Sequence, residues 1–114
     1  MKAVIREEEL DWTPHPLNER VKRKILLTKR DFNVDITCML VKIERGLGIP
    51  EHIHENQDDI LYPLSGKFRM WIDGIGEFEV GKNVMVRVPK GVKHRISEAY
   101  EDVVLLDIFS PAIL

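Results

Sequence analysis

Glycine, proline and polar clusters break this chain at short intervals. The segments between them are rich in Val, Ile and Leu and lack the three-to-four-residue apolar repeat of a helix. About nine short segments read as strands, at residues 3–5, 21–27, 34–44, 60–65, 68–73, 77–80, 84–88, 93–97 and 103–109. Residues 38–41 and 60–65 are apolar on both faces, which places them inside a layered structure and not at its margin. Residues 12–16, Trp-Thr-Pro-His-Pro, are expected to be irregular, because two prolines remove donors and restrict their predecessors. Gly66-Lys67 reads as a tight turn that folds 68–73 back on 60–65 as a hairpin. The expectation is an all-β sandwich or barrel.

With 114 residues the chain is read as one domain spanning 1–114, long enough to bury a core without staples. A net charge of -2 gives nucleic acid no electrostatic support as a partner. No apolar run approaches a membrane span, and the first ten residues have the pattern of neither a signal nor a transit peptide. The expected location is the cytoplasm. Cys38 is the single cysteine, so no internal disulfide forms, and its β-branched surroundings favour a buried thiol.

The chemistry concentrates between Gly48 and Gly66. His52 and His54 lie two apart, so in an extended chain both imidazoles project to one side. Asp59 opens the next apolar segment and can close on the same space, with Gln57 and Asp58 as neighbours able to compete for that role. Two imidazoles and a carboxylate suit a divalent first-row metal. His15, between prolines, is read as an exposed loop residue remote from the site. Lys22, Arg23 and Lys24 read as a solvated face. Arg87 is the candidate for binding a substrate carboxylate bidentately, with an outward, solvated arginine as the alternative. If Asp59 points inward, Leu61 and Pro63 share its face. Ile60, Tyr62 and Leu64 then form an outer apolar face that predicts a homodimer.

A second stretch runs from Gly81 to His94, G-K-N-V-M-V-R-V-P-K-G-V-K-H. With it the chain resembles the cupin superfamily over residues 34–97. Gly66, Asp59, His54 and His52 match the spacing of the first cupin motif, with Gly48 or Gly46 as its leading glycine. Gly81, Pro89, Gly91 and His94 match the second. The resemblance implies a jelly-roll barrel and one divalent metal (Zn, Ni, Mn or Fe) held by His52, His54, Asp59 and His94. Asp59 stands where the family usually carries glutamate. The last strand, with L-L-D-I-F-S-P at 105–111, is similar to the small pectin-degradation cupins of the KdgF type. Those are implied to convert unsaturated, ring-opened uronates to linear keto sugars. By that motif Asp107 is the catalytic acid-base group and Phe109 a substrate contact. Ile113 stands where that group carries a sugar-acid arginine. With the other histidines committed as ligands and His15 remote, a carboxylate is expected to move the proton. The function expected is a metal-dependent isomerase or lyase-like enzyme on a small polar substrate. A cupin dioxygenase and a non-catalytic small-ligand-binding module are the alternatives.

Overall fold

A computed structural model describes residues 2–114. The chain runs through β1 (Thr13–His15), β2 (Asn18–Leu27), a single helical turn α1 (Lys29–Phe32), β3 (Thr37–Ile43), β4 (Ile49–His52) and β5 (Asp58–Ser65). It continues through β6 (Lys67–Ile72), β7 (Gly76–Gly81), β8 (Val86–Val88), β9 (His94–Ala99) and β10 (Val103–Ser110). These form two antiparallel sheets. One has six strands in the order β1-β2-β3-β10-β5-β8 and the other four in the order β4-β9-β6-β7. All-β architecture follows from the sequence pattern, since β-branched and aromatic side chains pack well on a pleated surface.

The strands alternate as buried sheet faces require. In β10, Val103, Leu105, Asp107 and Phe109 point inward, while Val104, Leu106 and Ile108 are half-buried on the outer face. In β5, Asp59, Leu61 and Pro63 are buried, and Ile60 and Tyr62 face outward with Leu64 exposed. The inner faces of the two sheets meet in one core that includes Val41, Leu61, Phe68, Met70, Ile72 and Leu105.

Three expectations are corrected. Residues 3–5 form no strand; the chain instead makes a short 3-10 turn at Glu7–Glu9. The Pro-rich segment does form one, β1, because it lies at the edge of its sheet, where a proline without an N–H leaves no ladder bond unmade. Finally, β6 does not fold back on β5: it pairs with β7 and β9 in the other sheet. Gly66 is the crossing point. Its φ is +85°, and a Cβ there would collide with the Asp102 carbonyl, so only glycine lets the chain pass between sheets so closely. No helix among the described residues is long and apolar enough to cross a membrane.

Candidate metal centre

A cavity of about 390 Å³ lies between the sheets, within the usual range for small-molecule sites. The four-stranded sheet supplies His52 and His94, direct partners across the β4–β9 ladder. His54 lies just past the end of β4, in a loop anchored by a 2.8 Å hydrogen bond from the Gly91 N–H to the His54 carbonyl. The six-stranded sheet supplies Asp59 from β5 and Asp107 and Phe109 from β10. Phe109 pairs with Asp59 and Asp107 with Leu61, so the two carboxyls are diagonal neighbours on one inner face. The Phe109 ring stands edge-on to His54, with centroids 5.0 Å apart.

One donor atom from each of His52, His54, Asp59 and His94 lies within 4.8 Å of all the others. Backbone carbonyls orient two of the rings. His52 Nδ1 lies 2.7 Å from the Pro50 carbonyl, and His94 Nδ1 lies 2.9 Å from that of Val92. Each Nδ1–H therefore donates to its carbonyl and leaves Nε2 for the cavity. His94 Nε2 then faces Asp59 Oδ2 at 3.1 Å, with His54 Nε2 3.6 Å from the same oxygen. Lone pairs opposed in a buried space repel unless a proton or a cation lies between them. Asp59 Oδ1 is buried without any partner. This donor set, neutral imidazoles around a carboxylate, fits a divalent transition metal.

The charges fit as well. Burial and the neighbouring imidazoles hold His52 below the ordinary imidazole range; burial and the His94 ring do the same to His54. Both therefore remain in the form that binds metal. Burial opposes ionisation of Asp59, but Asp107 and His94 outweigh it and keep that carboxyl below the usual range. Asp107 goes the other way. Its burial, followed by the charge of Asp59, pushes its carboxyl well above the ordinary value, so the proton the pair shares resides on Asp107.

The sequence pattern of a Cupin domain matches residues 39–109. The chain belongs to the cupin family. Over 112 residues this cupin is 29% identical to the pectin degradation protein KdgF of Dickeya dadantii, covering 97% of this chain and 94% of that one. The structure of KdgF from Halomonas sp. superposes with a TM-score of 0.81 at 25% identity, over 96% of this cupin and 94% of that chain. A predicted oxalate decarboxylase from Thermotoga maritima shares the fold, with a TM-score of 0.82 at 19% identity over 96% and 99% of the two chains.

The cavity also differs from the expected one. Of the three adjacent candidates only Asp59 enters it. Asp58 faces outward, accepting bonds from Arg87 Nε at 2.8 Å and from the Lys90 N–H at 2.9 Å, and Gln57 reaches only toward the Ala112 carbonyl. Arg87 is thereby corrected as a substrate contact. It alternates with the inward Val86 and Val88, so its guanidinium lies on the outer face, exposed and committed to Asp58. His15 is corrected in the opposite sense. It lines the cavity, and its Nδ1 accepts the Leu17 N–H at 3.0 Å. Burial, then the charge of Arg23, lowers it to about 4, so it is neutral near pH 7. A free imidazole is therefore present, and the expectation that only a carboxylate is available does not hold.

The basic triplet divides by strand alternation. Arg23 pairs with Val41 and points inward to line the cavity, while Lys24 pairs with Leu40 on the outer face. Lys24 is buried there beneath Trp12, whose ring centroid is 4.7 Å from Nζ, and is paired with Glu7 at 3.2 Å. Arg23 is the residue that a sequence reading could have found. Val21, Arg23 and Ile25 share one strand face, and a cation between two apolar residues on an inner face needs a partner. Leu17, Ile53, Ile113 and Leu114, all partly exposed, make the mouth of the cavity apolar.

Proposed function

We propose that this cupin is a metal-dependent enzyme acting on a small sugar acid, converting an unsaturated, ring-opened uronate to a linear keto acid. The observation that carries this reading is that the His52, His54, Asp59 and His94 cluster shares one small cavity with a second buried carboxyl, Asp107. The similarity to pectin degradation proteins supplies the substrate class. In this reading the two sheets are the halves of a cupin jelly-roll barrel.

His52, His54, Asp59 and His94 would hold one divalent ion. When bound it acts as a Lewis acid on a substrate oxygen. The remaining work belongs to the chain. Forming a keto acid from the enol of an unsaturated precursor moves a proton from oxygen to carbon. Asp107, whose carboxyl is pushed well above the ordinary range by burial and by Asp59, would give the proton to carbon and take one back from the oxygen. Phe109 packs against His54 and gives the substrate a flat apolar surface. The apolar mouth excludes water once a substrate enters. On the outer face of the six-stranded sheet, Leu106 lies between Leu40 and Tyr62, beside Cys38, Ile60 and Ile108. We propose that this face pairs with a second copy in a homodimer.

The test is metal loading with zinc, nickel, manganese or iron. Metal content, oxygen uptake and loss of the ultraviolet absorbance of an unsaturated uronate are then followed together. One ion per chain and uronate turnover without oxygen uptake are expected. Oxygen consumption coupled to turnover would replace this reading with the dioxygenase one. Ligand binding without turnover would leave a binding module.

A further inference from the structure

Among the described residues, three buried side-chain atoms lack a hydrogen-bond partner: Asp59 Oδ1, Asp107 Oδ1 and Arg23 Nε. All three residues line the same cavity. The two oxygens lie at the metal end. Arg23 lies elsewhere on the same inner face, on β2, separated from β10 by β3. Through Val41 it is level with Leu105, two residues along β10 from Asp107. At about 4.8 Å between neighbouring strands and about 3.4 Å per residue, its backbone stands roughly 12 Å from that of Asp107. None of the ion pairs among the described residues includes Arg23.

A buried guanidinium nitrogen without a partner is costly, and an anion brought by a ligand removes that cost. His15 adds a second donor beside it. Because its Nδ1 accepts the Leu17 N–H, its single hydrogen is on Nε2. The ring stays neutral under the influence of burial and of Arg23, so it donates without repelling the guanidinium. The cavity is therefore lined by two acids and three imidazoles around the candidate metal position and, from β1 and β2, by a cation with a neutral donor.

We propose that Arg23 and His15 form a carboxylate subsite, which binds the acid group of the substrate while the metal ligands face its reacting oxygens. The distance across the sheet suits a molecule of monosaccharide size with its carboxylate at one end. The subsite rests on the proposed function only in treating the cavity as the substrate site, because neither residue is a metal ligand.

Calorimetric binding of D-galacturonate and D-galactose, which differ in carrying a carboxylate or a hydroxymethyl group, tests this in metal-loaded and metal-stripped protein. Wild type should prefer galacturonate by about tenfold to a hundredfold, a span typical of charge-assisted bidentate bonds. The preference should persist after the metal is stripped. Arg23→Gln should abolish it with metal content unchanged, and Arg23→Lys should retain only part, since lysine keeps the charge and loses the fork. His15→Phe should weaken it severalfold. Full preference in a folded Arg23→Gln, or equal binding of the two sugars by wild type, would overturn the subsite and leave the metal reading standing. Failure to bind metal alongside a preserved Arg23-dependent preference would do the reverse.

Discussion

Replacing Asp107 by Asn separates proton transfer from structure, because the two side chains have nearly the same shape. Asp107 is buried, and its burial, followed by the charge of Asp59, opposes its ionisation. Asn offers an N–H where the acid offers its O–H, so the shared contact with Asp59 is kept. The exchange removes no volume and leaves no new buried charge. Its effect on folding should therefore lie within about 1 kcal/mol, the net worth of one neutral hydrogen bond. Metal content should be unchanged, since Asp107 is not among the four clustered ligands. Turnover should fall about a hundredfold or more, the usual loss of a general acid-base group, equivalent to about 2.7 kcal/mol of barrier. The assay follows the absorbance of an unsaturated uronate with the metal-loaded variant, alongside thermal melting and metal analysis. Turnover within severalfold of wild type, in a variant that melts normally and holds its metal, would refute Asp107 as the proton carrier.

His15 predicts an acid-sensitive stability. Its folded value of about 4 lies below the ordinary imidazole value of 6.5, so the unfolded chain binds the extra proton first as pH falls. Stability is full above 6.5 and is lost as pH falls toward 4; for a partly exposed ring the loss is about 1–2 kcal/mol. Urea denaturation of metal-stripped wild type and His15→Gln should show the variant losing less over that window, and parallel curves would contradict the assignment. Leu106 predicts the assembly. Leu106→Glu puts a charge at the centre of the outer apolar face, and light scattering should show wild-type dimers becoming monomers. A wild type that is monomeric at every concentration tested would exclude the pairing.

The residues that could hold a metal were legible because the spacing within each motif is local. An H-x-H pair places two rings together whatever sheet it joins, and the turn glycines and prolines mark the strand carrying His94. The inward set Asp59, Leu61 and Pro63 followed from period-two alternation alone. Arg23 and His15 were not read as site residues, because their roles depend on which face and which edge their strands occupy. Lys22, Arg23 and Lys24 look like one basic patch in a linear chain, yet the pleat sends the middle residue to the cavity. His15 looked solvated because its prolines argue against a strand, and an edge position removes that objection. The passage at Gly66 was read as a hairpin because a glycine turn between two strands carries no local mark of a change of sheet.

The margins of the six-stranded sheet bear on how these molecules behave when crowded. One margin is β1, where Pro14 offers no N–H and the register slips beside it. The other is β8, only three residues long with the charged Arg87 at its centre. Neither can template a further strand from a neighbouring molecule, so growth into ribbons or fibrils along the hydrogen-bond direction stops at both margins. Self-association by stacking broad faces terminates after two copies, whereas strand addition has no natural end. At the six-stranded sheet this cupin thus leaves open the mode of contact that closes on itself and blocks the one that polymerises.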